Sequence, residues 1–135
     1  MWNLLPDPPN QGVCVDIQLT ESQGIAVCQP IGELDAYTVT EFREALGAAA
    51  CVGGMVIDLS EVPFMDSAGL GALIGGIRRI RDIGGDVAVV CDRPAVLRLL
   101  HTTRFDRMVS VVPGLIAGVD LVKSKQMLAE TASED

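Results

Sequence analysis

The sequence predicts an α/β domain on a mixed sheet with right-handed crossovers. Three observations predict it. Apolar runs of strand character alternate with stretches of helical period, in the order ββαβαβα(β)α. The glycine pairs Gly53-Gly54 and Gly84-Gly85 fall where a helical period gives way to a strand. A length of 135 residues with 49% hydrophobic residues suits one domain with its own core, and is too apolar for a disordered chain.

Residues 1–12 carry Pro6, Pro8 and Pro9 among Asn, Asp and Gln, and read as an irregular leader. Residues 13–19 alternate apolar and polar, as a half-buried strand does. Ser22-Gln23-Gly24 is a turn, and Ile25 to Ile31 is a second apolar run, so the two pair as a hairpin. Pro30 removes a ladder donor and belongs near an edge or a bulge. Thr38 or Thr40 can cap a helix to about Ala50, with Val39, Phe42, Ala45, Leu46 and Ala49 on one face. The nearly continuous apolar run Met55-Val56-Ile57-Asp58-Leu59 suits a strand inside a sheet.

Asp66-Ser67 opens a helix to about Ile83, with Leu70, Leu73, Ile77 and Ile80 as its buried stripe. Arg78, Arg79 and Arg81 suit the negative end of its dipole. Residues 86–91 form the next strand. Pro94 sits in the first turn of another helix, with Val96, Leu97, Leu99 and Leu100 apolar. Residues 108–112 form a short last strand, and a final helix runs from Gly114 to about Leu121 or Leu128. The domain thus covers residues 13–122, and residues 123–135 read as a polar, acidic, fraying tail.

The formal net charge is −8, unevenly spread. Residues 1–66 hold ten acids and one base, Arg43; residues 67–135 hold eight acids and nine bases. That balance excludes a broad basic surface for nucleic acid or anionic membrane. No apolar run approaches the roughly 20 residues of a membrane span, and the N-terminus lacks the basic and apolar segments of a secretory signal. A cytoplasmic protein is expected. Cys14, Cys28, Cys51 and Cys91 are widely spaced, with no Cys-x-x-Cys, and read as reduced small hydrophobes. With one histidine and no paired cysteines, no metal site is expected.

Chemistry concentrates at Met65-Asp66-Ser67-Ala68-Gly69-Leu70-Gly71. The first turn of a helix exposes unpaired N–H groups and the positive end of the dipole. A phosphate on Ser67, adding about −1.5 to −2 charges, would be tolerated there by the fold, while a partner docked against Asp66 would not tolerate it. Capping alone also explains both residue types. Ser67, Gly71 and Gly75 make a small-residue stripe. Gly71, Gly75 and Gly76 each cost about 1 kcal/mol relative to Ala, so close packing on the sheet or close approach of a partner should offset them. Gly32-Glu33-Leu34-Asp35, between a strand and a helix, is an exposed loop able to present two carboxylates or simply to be a solvated turn. Enzyme signatures are missing. Ser67 lacks the glycine of a nucleophile elbow, His101 is the one candidate base, and no nucleotide-binding glycine loop or cofactor motif is present. His101, after a Leu-Leu pair at a helix end, suits a capping or partly buried role.

The residues 65–71 motif, followed by Arg81-Asp82-Ile83-Gly84-Gly85 and Pro94-Ala95-Val96, resembles the STAS domain family, and more narrowly the bacterial anti-sigma factor antagonists. Gly32-Glu33-Leu34-Asp35 is similar to the loop after their second strand, and its spacing to Ser67 fits. The resemblance implies a STAS-like fold, a mixed sheet of four or five strands with helices packed mainly on one face, and a binding protein without catalytic residues or cofactor. Its partner would be an anti-sigma factor of the GHKL serine-kinase type, which the unphosphorylated antagonist binds to free a sigma factor. Phosphorylation of the serine matching Ser67 would dissociate the complex, and a serine phosphatase would reset it. The implied partner surface is Glu33, Asp35, Asp66, Ser67, Ala68, Gly69, Leu70 and Gly71. The alternative is a phosphorylation-independent interaction module for a protein or small ligand, with Ser67 only a helix cap. Self-association stays between a monomer and a weak dimer. The leader and the tail are additions to the minimal domain.

Overall fold

The computed structural model describes residues 16–49 and 54–134, with residues 49 and 126–134 as backbone only. The elements run β1 (Asp16–Ser22), β2 (Ile25–Ile31), α1 (Val39–Ala49), β3 (Met55–Asp58), α2 (Ser67–Asp82), β4 (Val87–Val90), α3 (Pro94–Thr102), a 3-10 turn (Phe105–Arg107), β5 (Ser110–Val112) and α4 (Leu115–Glu134). Of the expected elements, the leader, the start of the first strand, Cys14 and Cys51 lie outside the described residues.

The sheet has five strands in sequential order, β1-β2-β3-β4-β5. β1 and β2 form an antiparallel hairpin, and β2 to β5 are parallel. Gln23 and Gly24 both have positive φ (52° and 82°), the two-residue turn that matches strand twist, and Ser22 pairs with Ile25 across it. Sequential parallel strands joined by crossovers of one hand place every crossover helix on the same face. Accordingly α1, α2 and α3 share one core with Cys28, Met55, Ile57, Val87, Val89 and Cys91 of the sheet. The alternate residues Val27, Val56, Ala88 and Val90 point the other way and are covered by Val119 and Val122 of α4. β3 and β4 are buried at every position for that reason.

Several expectations shift. Pro30 is buried within β2, which lies between two strands. The parallel ladder to β3 covers only Ala26 to Cys28, so at Pro30 the strand is paired with β1 alone, at Ile17. The last strand begins at Ser110, because Met108 and Val109 donate their N–H groups to Phe105 and close the 3-10 turn. α4 continues to Glu134 through the residues read as a tail. The segment from Lys123 to Glu130 contains no Gly or Pro and is rich in good helix formers. Gly118 lets α4 approach the sheet: a Cβ there would lie 3.0 Å from Val90 Cγ2 and 3.3 Å from Val56 Cγ1. Cys28 and Cys91 are buried free thiols, as expected, and burial pushes Cys28 up to about 12.

Candidate functional site

β3 ends at Asp58, a buried carboxylate that accepts hydrogen bonds from Ser60 N (2.9 Å) and Gln29 Nε2 (3.2 Å). Arg93 Nε donates to Ser60 O (2.8 Å) from the start of α3. These bonds anchor the root of the loop that leads to α2. Further along, the loop is joined to the loop after β2. Gly32 N donates to Glu61 O (3.1 Å), Leu34 N to Phe64 O (3.0 Å) and Asp66 N to Leu34 O (3.1 Å). Leu34 and Met65 form an isolated parallel bridge, with both side chains buried. The two segments singled out in the sequence, residues 32–35 and 65–71, are thereby brought together.

Asp66 caps α2. Its Oδ1 accepts from Ala68 N (2.9 Å) and Gly69 N (3.0 Å), two of the orphan donors of the first turn. Ser67, the first helical residue, is exposed and takes no part in the cap. Gly69 has a packing reason: a Cβ there would lie 2.4 Å from Leu34 O and 2.9 Å from Met65 Cγ. Leu70 is buried, Ala68 is half-buried and Gly71 is exposed. The far end of α2 closes on Gly84 (φ 91°), with Gly84 N bonded to Arg81 O and Gly85 N to Ile80 O.

Asp35 plays a more structural part than a free surface carboxylate. Its Oδ1 accepts from Tyr37 N (2.9 Å) and Thr38 N (3.2 Å), and its carbonyl accepts from Val39 N at the start of α1. The Thr38 hydroxyl turns back to Asp35 N (3.1 Å) and Glu33 O (2.8 Å), so it closes this turn instead of capping α1 forward. Glu33 is exposed. Of Gly71, Gly75 and Gly76 in α2, Gly76 packs against Leu46 of α1 rather than on the sheet: a Cβ there would lie 2.4 Å from Leu46 Cδ1. At Gly71 and Gly75 an added Cβ would meet no described atom within 4 Å beyond the helix's own backbone.

Two residues at this site escaped the sequence reading. Tyr37 is 76% exposed and Phe64 is 48% exposed, one in each of the two joined loops. Aromatics are scarce in this chain, and the other described ones, Phe42 and Phe105, are fully buried, which makes these two stand out. Their signal in the sequence was position alone: an aromatic inside a turn and another just before a helix cap. His101 is well exposed, with Nδ1 3.3 Å from Asp106 Oδ2, rather than partly buried. It lies in the last turn of α3, which leads to the start of β5, whereas Ser67 follows the end of the parallel strand β3, so the two sit toward opposite ends of the strands. Among the described residues no cluster of three potential metal ligands occurs, and no helix is long and apolar enough to cross a membrane.

Comparison with known proteins agrees with this geometry. The chain is 33% identical over 82 residues to the anti-sigma-B factor antagonist of Listeria monocytogenes, covering 59% of this chain and 72% of that protein. It is 34% identical over 90 residues to the anti-sigma F factor antagonist of Paenibacillus polymyxa, covering 64% and 76%. Its fold superposes with a TM-score of 0.75 on the crystal structure of an anti-sigma factor antagonist from Mycobacterium paratuberculosis, at 29% identity and covering 81% and 94% of the two chains. The STAS domain pattern itself matches residues 16–117, from β1 into the first turn of α4. With the sheet order, the Asp66 cap and the paired loops all in place, the chain belongs to the STAS domain family.

Proposed function

We propose that this protein is an anti-sigma factor antagonist whose binding is switched off by phosphate on Ser67. The observation that carries the reading is the division of labour at the start of α2. Asp66 supplies the cap, and Ser67 is left exposed beside it. A serine that does not hold the helix can be modified without unfolding it. The helix N-terminus tolerates the added negative charge, while Asp66, Asp35 and Glu33 make the surroundings already acidic. A dianion added there changes what a docked partner must desolvate and oppose.

The partner in this reading is an anti-sigma factor of the GHKL serine-kinase class, which both binds the antagonist and phosphorylates it. A serine phosphatase restores the binding form. The docking surface is Glu33, Asp35, Asp66, Ser67, Ala68, Gly69, Leu70 and Gly71, to which Tyr37 and Phe64 add aromatic area. Gly69 and Leu70 serve it from beneath, by seating the helix on Leu34 and in the core. Among the named relatives, the Listeria and Paenibacillus proteins carry the antagonist role in their names, which supports the general reading.

The test mixes the protein with the candidate anti-sigma kinases of its host and ATP, and maps phosphate by mass spectrometry. Phosphate is expected on Ser67, and Ser67→Asp is expected to abolish the complex. Phosphate elsewhere, or a Ser67→Asp protein that binds as before, would leave a constitutive interaction module in place of a switch.

A further inference from the structure

Behind the first turns of α2, the two helices α1 and α2 leave a gap. A cavity of about 160 Å³ lies there, lined by Arg43 and Gly47 of α1 and by Ala72, Gly75, Gly76 and Arg79 of α2. Residues 72, 75, 76 and 79 share one side of α2, and residues 43 and 47 stand one turn apart on α1. Two of the glycines answer to packing. Gly76 admits Leu46, and Gly47 admits the Arg79 guanidinium, whose Nη1 would lie 2.8 Å from a Cβ at that position. Gly75 answers to no packing among the described residues: it is exposed, and an added Cβ would meet no atom within 4 Å beyond its own stretch of helix. A glycine there weakens the helix relative to Ala. Its missing methyl leaves room for a group that approaches from outside.

The walls of the gap are charged. Arg43 and Arg79 are exposed, and among the described residues neither has a carboxylate within ion-pair distance. Arg43 is also the one base among the first 66 residues of a chain with net charge −8. Two unpaired guanidiniums beside a floor of three glycines and Ala72 form a seat for an anion. The guanidinium fork matches a carboxylate in a bidentate way.

Placement selects the occupant. Ser67, Gly71, Gly75 and Arg79 follow one another at steps of four and form a single row along α2. From Ser67 to Gly75 is about 12 Å at about 1.5 Å per residue. A partner lying along this row has Glu33, Asp35 and Asp66 at one end and Arg43 with Arg79 at the other. We infer that the Arg43–Arg79 notch receives an Asp or Glu side chain of the anti-sigma factor and so fixes the direction in which that partner lies on α2. The inference rests on the proposed function. A partner laid the other way round meets like charges at both ends, which excludes that pose.

The experiment measures binding of the cognate anti-sigma factor by calorimetry to the full chain, to Ser67→Asp, to the pair Arg43→Gln/Arg79→Gln and to the pair Arg43→Lys/Arg79→Lys, with thermal melts for each. The Gln pair is expected to bind roughly tenfold more weakly, with the Lys pair recovering part of the loss. Replacing one surface acid of the partner by Gln should reproduce the loss with the wild-type chain and add nothing to the loss of the Gln pair. If Ser67→Asp abolishes binding while the Gln pair binds within about twofold of wild type, the proposed function stands and the notch assignment falls. If the wild-type chain binds no anti-sigma factor, the proposed function fails and the assigned occupant with it. Should the Gln pair melt early, the Lys pair and the partner's substitution carry the decision.

Discussion

Asp66 and Ser67 stand side by side and do different work. Asp66→Ala removes an acceptor for two orphan amides and is expected to cost about 1 kcal/mol, read as a lower midpoint in chemical denaturation. Ser67→Ala is expected to leave stability within about 0.5 kcal/mol, since its hydroxyl caps nothing, and to prevent phosphorylation by the partner kinase. The sequence alone left the cap open between the two, because both types cap well and only backbone geometry says which side chain turns inward. Cys28 supplies a pH test. Its thiol ionises near 9.0 in an open chain and at about 12 in the fold, where burial disfavours the thiolate. Between those values the unfolded chain holds fewer protons than the folded one, so stability falls as pH rises past about 9. The slope is up to ~1.4 kcal/mol per pH unit. Denaturation midpoints at successive alkaline pH values should show this decline, and Cys28→Val should lessen it, leaving the smaller part that Cys91, also raised by burial, contributes.

At the scale of elements, the order of strands and helices was legible because each carries its own period. The α2 stripe of Leu70, Leu73, Ile77 and Ile80 is buried as read, and β2 keeps the limits its apolar run suggested. What escaped the sequence was pairing at a distance. Nothing local says that Leu34 will bridge Met65, that Gly69 must clear the Leu34 carbonyl, or that Gly76 faces α1 instead of the sheet. The second face of the sheet was equally hidden: Val56 and Val90 need a cover, but α4 looks like an ordinary C-terminal helix until it is seen lying on them. Gly118 allows that fit. Gly118→Val is expected to cost about 1–3 kcal/mol by crowding Val90 and Val56, measured as a lowered thermal midpoint with the α1–α3 side of the core unchanged by amide chemical shifts.

For the whole molecule, the uneven charge becomes a statement about one surface. Glu33, Asp35 and Asp66 gather at one end of the α2 row, and Arg43, the exception in the acidic half, faces Arg79 at the other. Docking against such a surface is expected to be salt-sensitive. The screening length shortens from about 10 Å at 0.1 M to about 3 Å at 1 M. Over that range the association rate with the anti-sigma factor should fall by about tenfold or more, with a smaller change in dissociation. Stopped-flow mixing at graded salt measures it, and a rate indifferent to salt would reduce the acidity to a contribution to solubility.

The bridge between Leu34 and Met65 also limits how such a chain can vary. Most surface loops absorb an inserted residue by bulging into solvent. Here the loops at 32–35 and 61–66 are stitched to each other at three backbone bonds, so neither can lengthen alone without breaking a stitch. An extra residue between Glu61 and Phe64 would displace the carbonyl that Leu34 uses. The distance between Glu33 and Ser67 is therefore a gauge set by the backbone, and a variant that changes one loop keeps that gauge only by changing the other to match.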